Sequence, residues 1–366
     1  MNTIKDVTAY LESIAPRAYQ ESYDNAGLIT GNPQDEVKGV LISLDATEDI
    51  VDEAIRRGCN LVVAHHPIVF RGLKSLTGKN YVERTVIKAI RNNIAIYATH
   101  TNLDNVTQGV SRRICDKIGI QQPQILLPKK QTLNKLVVFV PGSDAEKLLN
   151  ALNKAGAGNI GNYKNCSFMV RGTGTFQPNE FANPHIGKQG RLEKVEEERI
   201  EVIFPAHEAE RVLAAMREHH PYEEVAYYLQ ALENENQEVG SGMIGRLPEP
   251  MEPEAFLAHL KSSMQLACIR YTHPPARPVQ RVAVCGGAGS FLLPQAIRRQ
   301  ADALVTADFK YHEFFDAEDK LMIADIGHYE SEVFTKELIS ELLSHKFVNF
   351  AVHLAEANTN PILYYK

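Results

Sequence analysis

The sequence predicts an α/β domain of two pseudo-repeated halves, interrupted by a smaller α+β domain. Three observations predict it. Buried-strand runs alternate with helical spacing between residues 37 and 100, a related plan returns after residue 280, and the stretch between follows another rhythm. Soft polar segments, "LPKKQ" (127–131) and "ENENQEVGSG" (233–242), mark the edges. They divide the chain into 1–128, 129–240 and 241–366, with the first and third forming one domain split in sequence. The 366 residues also exceed one ordinary core of about 150.

Taken in order, "MNTIKDVTAYLESIAP" reads as an amphipathic helix, not as a signal peptide's apolar core. "VKGVLISL" (37–44) is a buried-strand run. "ATEDIVDEAIRRG" puts Ile50, Val51, Ala54 and Ile55 on one helical face, with Thr47 placed to cap it. The strand "NLVVA", the helix "TVIKAIRNN" and the strand "IAIYATH" follow. A β-α-β-α-β order favours a parallel sheet with helices on its faces. In the last third, "RVAVC" (281–285), "ADALVTA" and "KLMIADI" read as strands, and "FLLPQAIRRQ" as mostly helix. "AIRRGCNLVVAHH" and "AIRRQADALVTAD" match without a gap, setting His66 opposite Asp308. "HTNLD" (100–104) and "HYESE" (328–332) each place an acid four residues after a histidine. In the middle, the strands "NKLVVFVP" (134–141), "RIEVIFP" (199–205) and "EEVAYYLQAL" (223–232) alternate with the helices "AEKLLNALNKAG" and "EAERVLAAMREHH", as in a small α+β sandwich. "GTGTF" (172–176) and "NPHIGKQGRLE" (183–193) read as loop and hairpin.

Composition excludes several classes. Hydrophobic content of 44% and charged content of 23% are those of a soluble globular protein. No run approaches the roughly 18 apolar residues of a membrane span. Five scattered cysteines without a CxxC pair argue against a disulfide framework and a thiolate zinc site, and favour the cytoplasm. A net charge of −6 gives no general attraction to nucleic acid. Nucleophile elbow, HExxH and dinucleotide fingerprint are all absent.

Open α/β sheets bind ligands beyond the carboxyl ends of their strands. Polar residues gather at four such ends: His65-His66, His100 to Asp104, Asp308 to His312, and His328 to Glu332. Imidazole and carboxylate are the ligands of zinc, iron and manganese. His65, His66, Asp104, His328 and Glu332 are generous for one divalent ion and suit two. Other readings stand beside this one. His328 and Glu332 also fit a solvated helical pair, and His100 and Asp104 a helix-entry turn. A second "HHP", His219-His220-Pro221, ends a charged helix, where imidazolium suits the helix dipole. "CGGAGSF" (285–291), with Gly286, Gly287, Gly289 and Ser290, is either an anion-binding turn between strand and helix or a mere tight turn. Asp308, Lys310 and His312 could orient ligands, act as acid or base, or be surface groups.

With "ESYDNAGLITG", "AHHPIVF", "THTNLD", "CGGAGS", "TADFKYHE" and "GHYESE" in place, the chain closely resembles the GTP cyclohydrolase I type 2, or NIF-three-like, family over nearly its whole length. The resemblance implies a dinuclear metal centre on His65, His66, Asp104, His328 and Glu332. Beside it, His100, Asp308 and His312 are the catalytic candidates that the residues themselves suggest. It implies two divalent ions, a nucleotide substrate, and opening of GTP by metal-bound hydroxide with loss of formate. The alternative is a non-enzymatic metal-binding or regulatory oligomer. The middle segment, with "HPYEE", resembles the ferredoxin-like, PII- and CutA-like insert of longer members, and ring-shaped homohexamers are implied. Tyr23 departs from the tryptophan common there.

Overall fold

The structure, a computed structural model, describes residues 2–365. The chain divides into two compact units, Met1–Leu127 with Val239–Lys366, and Pro128–Glu238.

The first unit begins with α1 (Ile4–Ile14), closed by a reciprocal capping box between Thr3 and Asp6. It continues with β1 (Gly27–Thr30), β2 (Gly39–Ser43), α2 (Glu48–Arg56), β3 (Leu61–Ala64), α3 (Tyr81–Arg91), β4 (Ala95–Ala98), α4 (Thr101–Asp104), α5 (Val110–Ile118) and β5 (Gln121–Pro128). Thr47 caps α2, as its sequence suggests, by accepting from the Ile50 N–H. Strands β2, β3 and β4 are parallel neighbours buried along their whole length. Helices cover both faces of such strands, which is why they read as unbroken apolar runs.

The second unit runs β6 (Leu133–Pro141), α6 (Ala145–Lys154), β7 (Phe168–Phe176), β8 (Glu193–Pro205), α7 (Ala209–His219) and β9 (Tyr227–Leu232). Its antiparallel sheet has the order β7-β8-β6-β9. That chain order and sheet order make a split βαβ unit. Leu136, Val138, Ile200, Val202 and Phe204 face α6 and α7 and form the core. "GTGTF" is a correction: it is the end of strand β7, not a loop. Its glycines and threonines lie on an edge strand, where little burial is needed to hold the ladder. His220 is a second correction. It is buried, donates from Nε2 to the Phe139 carbonyl at 2.8 Å, and accepts at Nδ1 from the Tyr222 N–H at 3.1 Å. Burial pushes its pKa down, so it is a neutral structural imidazole, not a solvated imidazolium.

Back in the first unit come β10 (Gly240–Met251), α8 (Pro253–Ser263), β11 (Arg270–Tyr271), β12 (Val279–Ala288), α9 (Leu293–Arg298), β13 (Ala303–Ala307), β14 (Met322–Asp325), α10 (His328–Glu332), α11 (Thr335–Lys346) and β15 (Ala351–Leu354). One sheet has the order β1-β4-β3-β2-β15 and the other β11-β14-β13-β12-β10-β5. The first contains four parallel strands, β15, β2, β3 and β4, and the second three, β12, β13 and β14, each run ending beside an antiparallel strand, β1 against β4 and β11 against β14. The sequence reading missed β15, a short, mostly polar-flanked strand that pairs parallel to β2. No helix among the described residues is long and apolar enough to cross a membrane.

Candidate metal centre

Four parallel strands of the first unit end on one cluster. Strand β3 runs directly into His65 and His66. Strand β4 leads to His100 at the start of α4, whose single turn carries Asp104. Strand β13 ends at Asp308, and β14 at Gly327, whose φ of 92° turns the chain into α10 with His328 and Glu332. Three overlapping donor groups result: His65, His66 and His100; His66, His328 and Glu332; and His65, Asp104 and Glu332, with the donor atoms of each within 4.8 Å.

Glu332 is the hub. It is 3% exposed, so the solvated-pair reading of "HYESE" fails. Its Oε2 lies 2.9 Å from His66 Nε2 and 3.1 Å from His328 Nε2, while Oε1 lies 3.8 Å from His65 Nε2. His65 Nε2 is in turn 3.6 Å from Asp104 Oδ1.

Every histidine of the cluster is tied back through Nδ1. His65 Nδ1 lies 2.8 Å from the Thr99 carbonyl, and His66 Nδ1 2.8 Å from Asp45 Oδ1. His100 Nδ1 is 2.7 Å from Asp24 Oδ1, and His328 Nδ1 is 2.7 Å from Asp308 Oδ2. An oxygen partner at Nδ1 holds the proton there and leaves Nε2 as the inward donor, the arrangement that orients metal-binding imidazoles. Asp24 and Asp45 carried no role in the sequence reading. Each is a lone acid on a loop, brought to its histidine only by the fold. Asp45 is itself held by Thr359, 2.6 Å away, on the segment after β15 that Glu53 anchors through the Glu356 and Ala357 N–H groups.

Electrostatics follow from this packing. Burial opposes charge on His66, but hydrogen bonds and charge from Asp45 and Glu332 prevail and raise it to about 10. Against the same burial, Glu332 and Asp308 raise His328 to about 9. Burial, with the Glu332 charge, pushes Asp104 up to about 8. Burial opposes ionisation of Glu332 too, yet the three imidazoles hold it well below the usual carboxylate range. His65 Nε2 and Asp104 Oδ1 are buried with no hydrogen-bond partner. Such orphaned atoms are costly unless something binds between them. Imidazole and carboxylate together suit a divalent cation, so the residues present fit a metal ion.

One other expectation is corrected. Gly286 and Gly287 belong to strand β12, and the Gly287 N–H already donates to Ser331 Oγ at 2.9 Å. At Gly287 a side chain would collide with Glu332 Oε1, so this glycine makes room for the hub instead of cradling an anion. Gly289 and Ser290 begin the 3₁₀ turn that precedes α9. His312 lies on the 3₁₀ turn after β13, exposed, with Tyr311 and Phe315 as its ring neighbours, and it belongs to none of the donor groups. Asp308 meets the cluster through His328.

Comparison with known proteins shows the family. The family model DUF34/NIF3 (NGG1p interacting factor 3) matches residues 2–361. A protein of Halalkalibacterium halodurans named "GTP cyclohydrolase 1 type 2 homolog" is 40% identical over 363 residues, 98% of each chain. The Bacillus subtilis protein of that name is 35% identical, again over 98% of each. Among solved structures, a Bacillus cereus protein related to NIF3 is 38% identical with a TM-score of 0.86, covering 100% of this chain and 99% of its own. Staphylococcus aureus protein SA1388 is 27% identical with a TM-score of 0.80, covering 100% and 99%. Matched across its length by the family model and by these relatives, the chain belongs to the DUF34/NIF3 family.

Proposed function

We propose that the chain is a divalent-metal-dependent hydrolase acting on a nucleotide, with GTP ring opening and formate release as the reaction to test first. One observation carries the reading: Glu332 divides the cluster, turning Oε2 to His66 and His328 and Oε1 to His65, beside Asp104. That division supports two ions, of zinc, iron or manganese, on His65, His66, Asp104, His328 and Glu332, with Glu332 shared. Divalent ions in such a site supply Lewis acidity and make a coordinated water acidic near neutral pH.

The chain's own groups do the rest. Asp45, Asp308 and the Thr99 carbonyl set the inward orientation of three imidazoles. His100, held by Asp24, is left over from the five-residue set and can hold or pass a proton at Nε2. The names of the relatives favour a guanine nucleotide. The shared order β4-β3-β2 and β14-β13-β12 supports descent of the first unit from a doubled half. The split βαβ order of the second supports a PII- or CutA-like insert. A homohexamer in the cytoplasm completes the reading, and light scattering on the purified protein checks its size.

The test is incubation of metal-loaded protein with GTP, reading formate and the ultraviolet change of ring opening. Formate release that is lost in Glu332→Gln supports the reaction. Turnover of another nucleotide alone moves the substrate, not the class. No turnover of GTP or of a nucleotide and phosphoester panel overturns the hydrolase. It would leave the second reading, a metal-binding regulatory oligomer, which the separate compact unit 128–238 favours.

A further inference from the structure

The sheet of the second unit has one face packed on helices and one face without them. On the open face of β8 stand Glu197 and Arg199, two residues apart and so about 6–7 Å along the strand. The open face carries a cavity of about 730 Å³. Small-molecule sites commonly measure about 300–1,000 Å³. Gly172 and Gly174 of β7, Phe139 of β6 and Tyr228 of β9 share its lining with Glu197 and Arg199. The segment 177–190 covers it and is tied down by its own bonds. Gly190 N–H reaches the Pro178 carbonyl at 2.8 Å, and Asn183 N–H reaches Glu223 Oε1 at 2.7 Å.

Glu197 and Arg199 in this cavity are incompletely paired. Glu197 is 8% exposed, and no ion pair to it occurs among the described residues. A carboxylate loses its water at high cost unless a positive or hydrogen-bonding partner replaces it. Arg199 pairs through Nη2 with Glu201 at 2.7 Å, but its Nε is buried without an acceptor. The Tyr222 hydroxyl, which also lines the space, faces Glu197: burial, then a hydrogen bond to that carboxylate and its charge, push the Tyr222 pKa up. Glycine explains how the carboxylate fits: a side chain at 174 would collide with it, whereas one at 172 would enter open space.

Charge selects the ligand class. Glu197, Glu223 and Glu224 line the cavity against Arg199 alone among the fully charged cations. That balance disfavours phosphates, nucleotides and dicarboxylates. Aromatic rings add attraction for a cation, as Phe139 and Tyr228 pack edge to face at 5.6 Å within the lining. We propose that this cavity is a binding site for a small organic amine that also carries a hydroxyl or carbonyl oxygen. The ammonium pairs with Glu197, the carbon frame lies on the aromatic rings, and the oxygen accepts from Arg199 Nε. The site lies wholly within the compact unit 128–238 and does not depend on what the metal centre does.

Calorimetric titration of the full chain with tyramine tests this. The matched control is 4-hydroxyphenylacetate, the same phenol with a carboxylate in place of the amine. Spermidine and choline are titrated in parallel. Tyramine is expected to saturate one site per chain and to bind at least tenfold more tightly than the carboxylate. Glu197→Gln should weaken it tenfold or more. Gly172→Leu, which fills open space, should abolish binding while thermal midpoint and metal content stay as in the parent chain. Failure of all three amines to saturate, equal binding of the carboxylate, or full affinity in Gly172→Leu would each overturn the assignment.

Discussion

Replacing Glu332 by glutamine is the sharpest perturbation of the metal centre. The side chain is 3% exposed, and its two oxygens face His66 and His328 on one side and His65 on the other. Glutamine keeps the shape but removes the charge, and it turns an N–H₂ donor toward imidazole nitrogens on one side. Loss of a group that merely orients a ligand typically costs about 10–100-fold in metal affinity. A residue common to two donor groups should exceed the top of that range, by more than about 100-fold or roughly 2.7 kcal/mol per ion. His100→Gln removes an imidazole outside the five-residue set, so its cost should stay below about tenfold. Elemental analysis after dialysis, with chelator competition for the constants, reads both, and circular dichroism confirms that each variant is folded. Equal metal loss in the two variants would refute the donor assignment. Full occupancy in Glu332→Gln would refute the role of the hub.

Asp45→Asn should weaken metal binding by about 10–100-fold, because it loosens His66 without removing a donor. Unchanged affinity by chelator competition would show that the Asp45 bond is incidental. Gly287→Ala should displace Glu332 and lower both metal content and thermal midpoint, since φ is 62° there and the new methyl meets the carboxylate. A parent-like midpoint with full metal would contradict that packing. Glu83 accepts the Thr77, Gly78 and Lys79 N–H groups, and those backbone bonds hold its pKa at about 2 against 4.5 for the free side chain. A lowered folded value means that its stabilisation is present above about 4.5 and fades as pH falls toward about 2. Chemical denaturation of Glu83→Gln should therefore differ from the parent at pH 7 and converge with it near pH 2, and a gap independent of pH would count against the reasoning.

The strands that carry the centre were legible because parallel strands are buried on both faces. "VLIS", "LVVA" and "ALVTA" have no polar face to confuse the period, so a histidine or aspartate at such an end stands out. What was illegible depends on tertiary approach. Asp45 and His66 are 21 residues apart, and Asp24 and His100 are 76. Nothing local separates either acid from a surface residue. Gly287 misled for a related reason: glycine after a strand fits an anion turn and a close approach equally, and only the position of Glu332 decides between them. The second "HHP" misled because its charged helix pointed to solvent, while the carbonyl that captures His220 comes from β6, 81 residues away.

The orphaned atoms argue for an order of metal binding on the two-ion reading. On the Oε2 side, His66 and His328 already spend their Nε2 positions on Glu332, at 2.9 and 3.1 Å. An ion entering there must break those contacts and displace protons that Asp45 and Asp308 help to hold. On the Oε1 side, His65 Nε2 and Asp104 Oδ1 are desolvated, unpartnered and 3.6 Å apart. Both atoms are already desolvated in the folded chain and no bond between them has to be broken; one proton, held on Asp104 by burial and the Glu332 charge, has to leave. The first equivalent should therefore load on His65, Asp104 and Glu332. Calorimetric titration of metal-free protein would then resolve a tight and a weaker step. Asp104→Asn should remove the tight step, and His328→Gln should remove the weaker one. The opposite assignment would mean that breaking the His66 and His328 contacts costs less than leaving His65 and Asp104 unpaired.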